Sequence, residues 1–452
     1  MDKNPPKHRL DKAAFFADLG YEPHVGQQEI HDSQHLRRVV VCGVRWGKSL
    51  CAAMEAVAAA MQPMERSFGW VAAPTYDLAD KVFREIVFVV FQHLRHRVIS
   101  FRESEKRLVL RNMGGGVSEI RAKSADNPVS LLGEGLDWLV VDEAARLRPT
   151  VWNSHLSQRL IDKRGWALLI STPKGKGFLH ELHRRGRSDD PDFASWSYPS
   201  WKNPHLDREL IERERERLPK RVFDQEYGAA FVEGAGAVFR NVRECTTGDW
   251  QEPVEGEQYF AGLDLAKVTD YTVLVIMNAK REVVFVDRFH RIDWSQQVQR
   301  IRVALERFNH AVVLVDSTGA GEPVFEEILR AGVTADPYRF SAASKAALID
   351  NLALQLEQRR ITLPKVELMP ELADELESFE FTISDAGNTK SGAPPGGHDD
   401  IVISLALAAW QLREDPGGPV IHYADWSTGK MRYMKNVGGA KLRPRGHGWR
   451  KL

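Results

Sequence analysis

Short runs of β-branched and other apolar residues alternate, through the first half of the chain, with longer stretches whose apolar positions recur at helical spacing. The runs fall at 39–42, 68–73, 136–141 and 167–171. Strand and helix in repetition predict a parallel sheet flanked by helices. Between the second and third runs, 98–101, 107–111 and 117–121 read as a small meander that turns at Gly114, Gly115 and Gly116. Alternating Glu and Arg over 208–217 predict a solvated helix, followed by Phe223, Tyr227 and Phe231 on apolar spacing. The strand pattern restarts at 259–264 and continues at 271–277 and 283–289. A helix over 294–308 and a strand at 311–316 follow. A stretch rich in Gly and Pro, 387–397, precedes an apolar helix over 401–412.

These shifts of pattern divide the chain. Residues 1–232 form one α/β domain with a small helical lid near 200–232. Residues 233–257, with Gly234, Gly236 and Gly256, form a linker, and 258–415 form a second domain on a compact mixed sheet. Residues 416–452 form a tail. No internal repeat interrupts this order. A chain of 452 residues is about three times a typical single domain, so two cores are expected. Hydrophobic content of 43% beside 27% charged excludes a disordered, collagen-like or disulfide-stapled chain.

Lys plus Arg and Asp plus Glu both total 62, for a net charge of zero. Taken alone this argues against a nucleic-acid binder, but a whole-chain sum hides local fields. The tail from about Gly429 carries Lys430, Arg432, Lys435, Lys441, Arg443, Arg445, Arg450 and Lys451 and no acid. It is a basic arm suited to DNA or an acidic partner. The polar, basic residues 1–10 do not read as a secretion signal, and no apolar run reaches membrane-spanning length. Three cysteines without ligand spacing fit a reducing compartment, so the expectation is an intracellular protein with no membrane partner.

The first candidate chemistry lies where the first strand meets its helix. Gly43, Val44, Arg45, Trp46, Gly47, Lys48 and Ser49 run through the place a phosphate-binding loop occupies. Backbone N–H groups and the helix N-terminus would cradle ATP phosphates. Lys48 would reach the β and γ phosphates, and Ser49 would hold Mg²⁺. Cys42 stands where the first Gly of such a loop is usual, and Gly43 follows one place late. Taken alone, the segment also reads as a strand-to-helix turn. The strand at 136–141 then ends in Asp142 and Glu143, the pair that would act through the Mg²⁺ shell and polarise the attacking water. Arg45 is either a cation for charge on the transferred phosphoryl group or a surface arginine. Ser171 and Thr172, ending the next strand, either sense the γ-phosphate and relay its loss or simply turn the chain. Tyr21 and Gln27 precede the first strand, where a ring and an amide could stack on and hydrogen-bond an adenine.

The second candidate chemistry has no phosphate loop. Asp264 ends the first strand of the second domain, Asp316 ends its fourth, and Asp399 and Asp400 open the apolar helix. Singly, such residues also serve as turns and caps. If the first and fourth strands pair in parallel, Asp264 and Asp316 emerge at one sheet edge, and the helix opened by Asp399 and Asp400 could pack across it. Three converging carboxylates call for cations, and oxygen ligation suits two Mg²⁺ or Mn²⁺ ions cutting a phosphodiester. Asp270 and His398 could assist, and Lys345 could contact the scissile phosphate. His93 with His96 and His180 with His183 lack a third zinc ligand, and neither a nucleophile elbow nor a dinucleotide fingerprint is present.

A phosphate-loop motor followed by a three-Asp nuclease resembles the large terminase subunit of tailed double-stranded DNA bacteriophages. The resemblance covers nearly the whole chain. It includes Ala73, Pro74, Thr75 and Tyr76 after the second strand, then Ser171, Thr172 and Pro173. The pair Asn203 and Pro204 and the segment Phe223, Asp224, Gln225, Glu226 and Tyr227 complete it. It implies a P-loop ATPase of the additional-strand conserved-glutamate type, followed by an RNase H-like nuclease. By resemblance, Lys48 and Ser49 match the phosphate-loop residues, Asp142 and Glu143 the hydrolysis acids, and Asp264, Asp316 and Asp400 the nuclease triad. Arg45 resembles the loop arginine, and Arg146 and Arg148 are among the candidates for an arginine supplied to a neighbouring subunit.

The same resemblance implies ATP-driven pumping of double-stranded DNA into a procapsid through its portal, with cutting of concatemeric DNA before and after. It also implies a small terminase subunit as partner, a ring of five copies, and action in the host cytoplasm, with the protein absent from the mature virion. A helicase-nuclease of repair or recombination would share the loop and the nuclease. It would also be expected to carry a second motor-like domain, which the pattern lacks. A non-catalytic portal scaffold would be expected to have lost the acids.

Overall fold

The computed structural model describes residues 9–232, 237–265, 271–318, 321–383, 389–394, 397–413, 421–425 and 430–434. The chain forms two compact units, Met1–Gly236 with Phe381–Lys390 and Ala237–Glu380 with Ser391–Leu452.

The strands of the first unit are β1 (Arg37–Cys42), β2 (Arg66–Ala73), β3 (Val98–Arg102), β4 (Arg107–Arg111), β5 (Val117–Ser124), β6 (Trp138–Val141), β7 (Trp166–Ser171) and β8 (Phe193–Tyr198). They form one sheet in the order β3-β4-β5-β2-β6-β7-β1-β8. From β5 to β8 every pairing is parallel, while β3 and β4 close the other edge antiparallel, as the meander. Strand β8 has no counterpart among the expected runs. Its sequence, Phe-Ala-Ser-Trp-Ser-Tyr, is half polar because it covers an edge and buries less than a central parallel strand.

Helices α1 (Lys12–Asp18), α2 (Val25–Asp32), α3 (Lys48–Met61) and α4 (Tyr76–His93) pack on this sheet. Helix α3 is rich in alanine and buried nearly all round, because α1, α2 and α4 cover the side that the sheet does not. Apolar clusters line both sheet faces, one around Val40, Val71 and Phe83 and the other around Val41, Leu139 and Leu169. In register, Val41 lies beside Ser171, and Val141 beside Leu169. The carboxyl ends of β1, β7 and β6 therefore share one sheet edge, where parallel α/β folds place their ligands.

One charged group is built into this core. Glu55, on α3 and 3% exposed, meets Lys12 at 2.8 Å, His31 at 2.7 Å and Arg38 at 2.6 Å. Arg38 in turn lies over the Trp166 ring. Burial pushes the Glu55 carboxyl up, but Arg38, His31 and Lys12 together outweigh it and hold the group well below the usual carboxylate range. Its stabilising contribution is thus present above the unfolded-state value of about 4.3 and is lost as pH falls toward the folded one. Glu55→Gln leaves Arg38 buried without its counter-charge. We expect it to cost about 3–5 kcal/mol at pH 7, a difference that shrinks below about pH 4; chemical denaturation at both pH values measures it.

The second unit opens with a helix at Val242–Cys245 and β9 (Thr246–Gly248), which pairs with Leu363–Pro364. Val242 and Cys245 are buried, and Arg243 reaches Glu377 at 2.7 and 2.6 Å. Part of the stretch read as a linker is therefore folded. Strands β10 (Tyr259–Asp264), β11 (Thr272–Asn278), β12 (Val283–Phe289), β13 (Val312–Asp316) and β14 (Ala335–Tyr338) form a sheet in the order β12-β11-β10-β13-β14. β10 runs parallel to β13 and antiparallel to β11.

One face of this sheet carries the helix Trp294–Arg307, with Val298, Ile301 and Leu305 in the core. The helix Asp400–Gln411 contacts β10 and β11. It comes so close that a Cβ on Gly262 would collide with the Ser404 carbonyl and the Ala408 amide. Ser404 Oγ donates to the Val273 carbonyl at 2.9 Å and Gln411 Nε2 to that of Ala261 at 2.7 Å, locking the helix along β10.

No helix among the described residues is long and apolar enough to cross a membrane. In the tail, Ile421–Asp425 pairs antiparallel with Lys430–Met434. Lys435, Lys441, Arg443, Arg445, Arg450 and Lys451 lie outside the described residues, as do Gly234 and Gly236 of the linker and Asp270.

Candidate active sites

At the first sheet edge the loop 43–47 is held from outside by four side chains. Ser200 Oγ donates to the Val44 carbonyl at 2.6 Å, and Asn203 Nδ2 to that of Arg45 at 2.9 Å. His24 Nε2 lies 3.2 Å from the Trp46 carbonyl, and Gln27 Nε2 donates to that of Gly47 at 3.2 Å. Four successive carbonyls are thus occupied. The N–H groups of Gly47, Lys48 and Ser49 then remain at the positive end of α3 for an anion.

The late Gly43 has a physical reason. Cys42 is the last residue of β1 and fully buried, so the chain leaves the sheet one residue later than the usual spacing implies. At Gly43 a side chain would collide with Ser200 and the Tyr227 carbonyl. Gly47 has φ +102° and Arg45 φ +60°, left-handed values that turn the loop. Trp46 is fully buried, stacked on Tyr198 with ring centroids 4.8 Å apart, and anchors the loop to the sheet. The Arg45 side chain is exposed.

Asp142 and Glu143 stand two strands away. Asp142 is 2% exposed and accepts from the Glu143 N–H at 2.8 Å. Burial and the adjacent Glu143 charge push its carboxyl up to about 6, against the pull of Lys48 and Lys81. A buried acid with two lysines in reach fits a place beside a hydrated cation. Glu143 has φ +49°, and its carboxylate lies 3.7 Å from Arg146. Arg146 and Arg148 are both exposed.

Ser171 joins these parts. It is fully buried, accepts from the Ala145 N–H at 3.2 Å and donates to the Thr172 carbonyl at 2.7 Å. Three residues on, Lys174 pairs with Glu226 at 2.7 Å, and the Glu226 carbonyl accepts from the Val44 N–H at 2.7 Å. A continuous path therefore links the turn after Glu143, the end of β7 and the loop 43–47.

Gln27 and Tyr21 sit differently from the adenine-contacting roles expected. The Gln27 amide takes the His24 N–H on its oxygen and gives its N–H to Gly47. It holds the loop. Tyr21 lies against Phe16 and His31, with its hydroxyl 3.1 Å from His31 Nε2. Its hydroxyl faces the buried Glu55 group, not the loop.

In the second unit, Leu263 and Val315 are partners in the parallel β10–β13 pairing, so Asp264 and Asp316 follow side by side at the carboxyl ends. Asp400, Ser404 and Ala408 recur every fourth residue on the sheet-facing side of their helix, which brings Asp400 to the same end of β10. Burial first, then the charges of Asp316, Asp400 and Asp399, push the Asp264 carboxyl well above the usual range, with Lys345 opposing. Lys345 Nζ lies 3.5 Å from Asp399, and His398 Nδ1 lies 3.7 Å from Asp400. Among the described residues no three His, Cys, Asp or Glu side chains are already closed around a common point. Asp264, Asp316 and Asp400 nonetheless adjoin at one end of the sheet, and an all-oxygen donor set of this kind fits Mg²⁺ or Mn²⁺.

The large terminase subunit of Thermus virus P23-45 is 32% identical to this chain over 461 residues, covering 94% of both. The chain belongs to the large terminase subunit family. The large subunit of Thermus phage G20c matches to the same extent, 32% over 94% of each chain. The family model described as the terminase RNase H-like domain matches residues 261–410, the body of the second unit. The solved large terminase of another thermophilic bacteriophage superposes with a TM-score of 0.55 at 14% identity, over 86% of this chain and 100% of that one. That likeness concerns the fold, a terminase ATPase domain followed by an RNase H-like domain.

Within this terminase, several residues at the two sites were not anticipated in the roles they take. Ser200 and His24 have no signal in the sequence, and Asn203 and Glu226 lie in family-like segments without a role that their position announces. Glu375 and Arg288, described below, fall in an ordinary amphipathic helix and an ordinary strand.

Proposed function

We propose that this terminase large subunit drives double-stranded DNA through the portal into a procapsid by hydrolysing ATP, and cuts concatemeric DNA with its second unit. The reading rests above all on two acidic centres in one chain, one facing a phosphate loop and one on an RNase H-like sheet.

In the first, Lys48 and the N–H groups opening α3 bind the phosphates, and Ser49 with Asp142 would hold Mg²⁺, which when bound would neutralise phosphate charge. Glu143 takes the proton of the attacking water. Loss of the γ-phosphate is felt at Ser171 and Thr172 and passes through Lys174 and Glu226 back to the loop. Arg45, and Arg146 or Arg148 offered to a neighbouring subunit, are the candidate cations for the transition state.

In the second, Asp264, Asp316 and Asp400 would hold two Mg²⁺ or Mn²⁺ ions, which when bound supply activation of water and neutralisation of the leaving oxygen. The three carboxylates orient that centre, and Lys345 lies within reach of a phosphate. With zero net charge, one copy grips DNA weakly. A ring of five on the portal, aided by a small subunit in the host cytoplasm, lines several basic patches around one duplex.

Packaging reconstituted from procapsids, linear DNA and ATP tests the reading. Nuclease-protected DNA should accumulate only with this protein present. ATP-dependent strand separation without protection would favour a helicase-nuclease instead.

A further inference from the structure

The helix that carries Asp400 does not cap itself. Asp399, at its N-cap, has φ −130° and ψ 12° and makes no side-chain capping bond. The acceptor comes from elsewhere: Glu375 Oε2 takes the Ile401 N–H at 3.0 Å, across 26 residues of sequence. Glu375 lies on the helix Pro370–Ser378, on the same face as the buried Leu372 and Leu376, and is 7% exposed. Arg288, from β12, pairs with its other oxygen at 3.0 Å and lies over the Tyr271 ring at 3.9 Å. Tyr271 in turn meets the rings of His398 and His290, with centroids 5.4 and 4.7 Å away. Burial, with the charges of Asp400 and Asp399 adding to it, pushes the Glu375 carboxyl up to about 7, against the pull of Arg288 and the Ile401 N–H.

A carboxylate at an apolar-face position, next to a cluster of acids, is a costly choice. A leucine would fill the space with less desolvation, and a buried ion pair is weak evidence of stabilisation. What leucine cannot do is accept the N–H one residue after Asp400.

We infer that Glu375, paired with Arg288, is a positioning residue that seats Asp400 for cation binding in the nuclease site. The inference rests on the nuclease reading above. Glu375 acts through the helix start and touches neither substrate nor ion. Its position, not its charge, is what matters to Asp400.

Two conservative variants separate position from charge. Glu375→Gln keeps an oxygen at the same reach without the charge. Glu375→Asp keeps the charge but is one methylene too short for the Ile401 N–H. Mn²⁺ binding to the full-length protein, followed by electron paramagnetic resonance, should be within about threefold of wild type for Gln and weaker by about 10–100-fold for Asp and for Glu375→Ala. In metal-free protein, deuterium exchange of the segment containing Ile401 should quicken for Asp and Ala and not for Gln. In cutting assays the loss should appear mainly as a higher Mn²⁺ requirement, with ATP hydrolysis by the first unit unchanged. The reverse order, Asp like wild type and Gln weakened, would overturn the inference, and so would wild-type binding and exchange in all three. Should the Ala variant fail to fold, the Gln and Asp pair decides alone. Asp264→Ala in the same assays tests the nuclease reading itself: if it cuts normally, that reading fails whatever Glu375 does.

Discussion

Glu143→Gln should bind ATP as well as the unaltered protein and hydrolyse it about 10²–10⁴-fold more slowly, the usual contribution of a positioned general base. The amide has nearly the shape of the carboxylate, so the turn from Glu143 to Arg146 and the Ser171 link to Ala145 remain. What is lost is the proton acceptor. Glu143 has φ +49°, a left-handed value that turns the chain sharply after the buried Asp142. Nucleotide binding by fluorescence and single-turnover hydrolysis, measured side by side, separate the two effects. Turnover within tenfold of wild type would remove Glu143 from the role of base. With the phosphates expected at the loop and not at Glu143, weakened binding with normal turnover would point to a structural role for it.

The second large effect lies at the other site. Asp264→Ala should lower Mn²⁺-dependent cutting of plasmid DNA by more than about 10²-fold while leaving ATP hydrolysis as it was. Stability is the informative companion measurement. Asp264 is crowded by the charges of Asp316, Asp400 and Asp399, so removing one of these acids relieves repulsion in the metal-free protein. Thermal unfolding should therefore occur at or above the wild-type temperature. Loss of cutting with a large drop in thermal stability would make Asp264 a structural residue. Normal cutting would place the nuclease elsewhere.

Most of the elements were legible in the chain because their signals are local. The runs that became β1, β2, β6 and β7 are apolar along most of their length, as suits central parallel strands with both faces covered. Strand β8 escaped because an edge strand with Ser at alternate positions resembles a loop. The two acidic centres were legible for a related reason: Asp264 and Asp316 end strands, Asp142 and Glu143 directly follow one, and the ends of neighbouring parallel strands share an edge. The order of motifs along the chain carried the family resemblance, and the match over 94% of the P23-45 large subunit bore it out.

The parts that escaped are contacts between residues distant in sequence. Ser200 and Asn203 reach the phosphate loop from more than 150 residues away, as the spacings 156 and 158 show. Gln27 carries an amide that sequence reasoning assigns to a base, whereas its neighbours direct both ends of it to the protein backbone. Glu375 looks like one more acid in an amphipathic helix until that helix packs against the start of another.

Periodicity and residue type thus gave most of the strands and helices, the strand ends that bear acids, and the strand-to-helix loop between β1 and α3, because those depend on neighbours within a few positions. Packing alone decided how those ends are held: which carbonyls of the loop are occupied, why Gly262 must lack a side chain, and which distant carboxylate caps the helix of Asp400. A hydrogen-bond partner is chosen by distance in space, and only the folded chain brings Ile401 within 3.0 Å of Glu375.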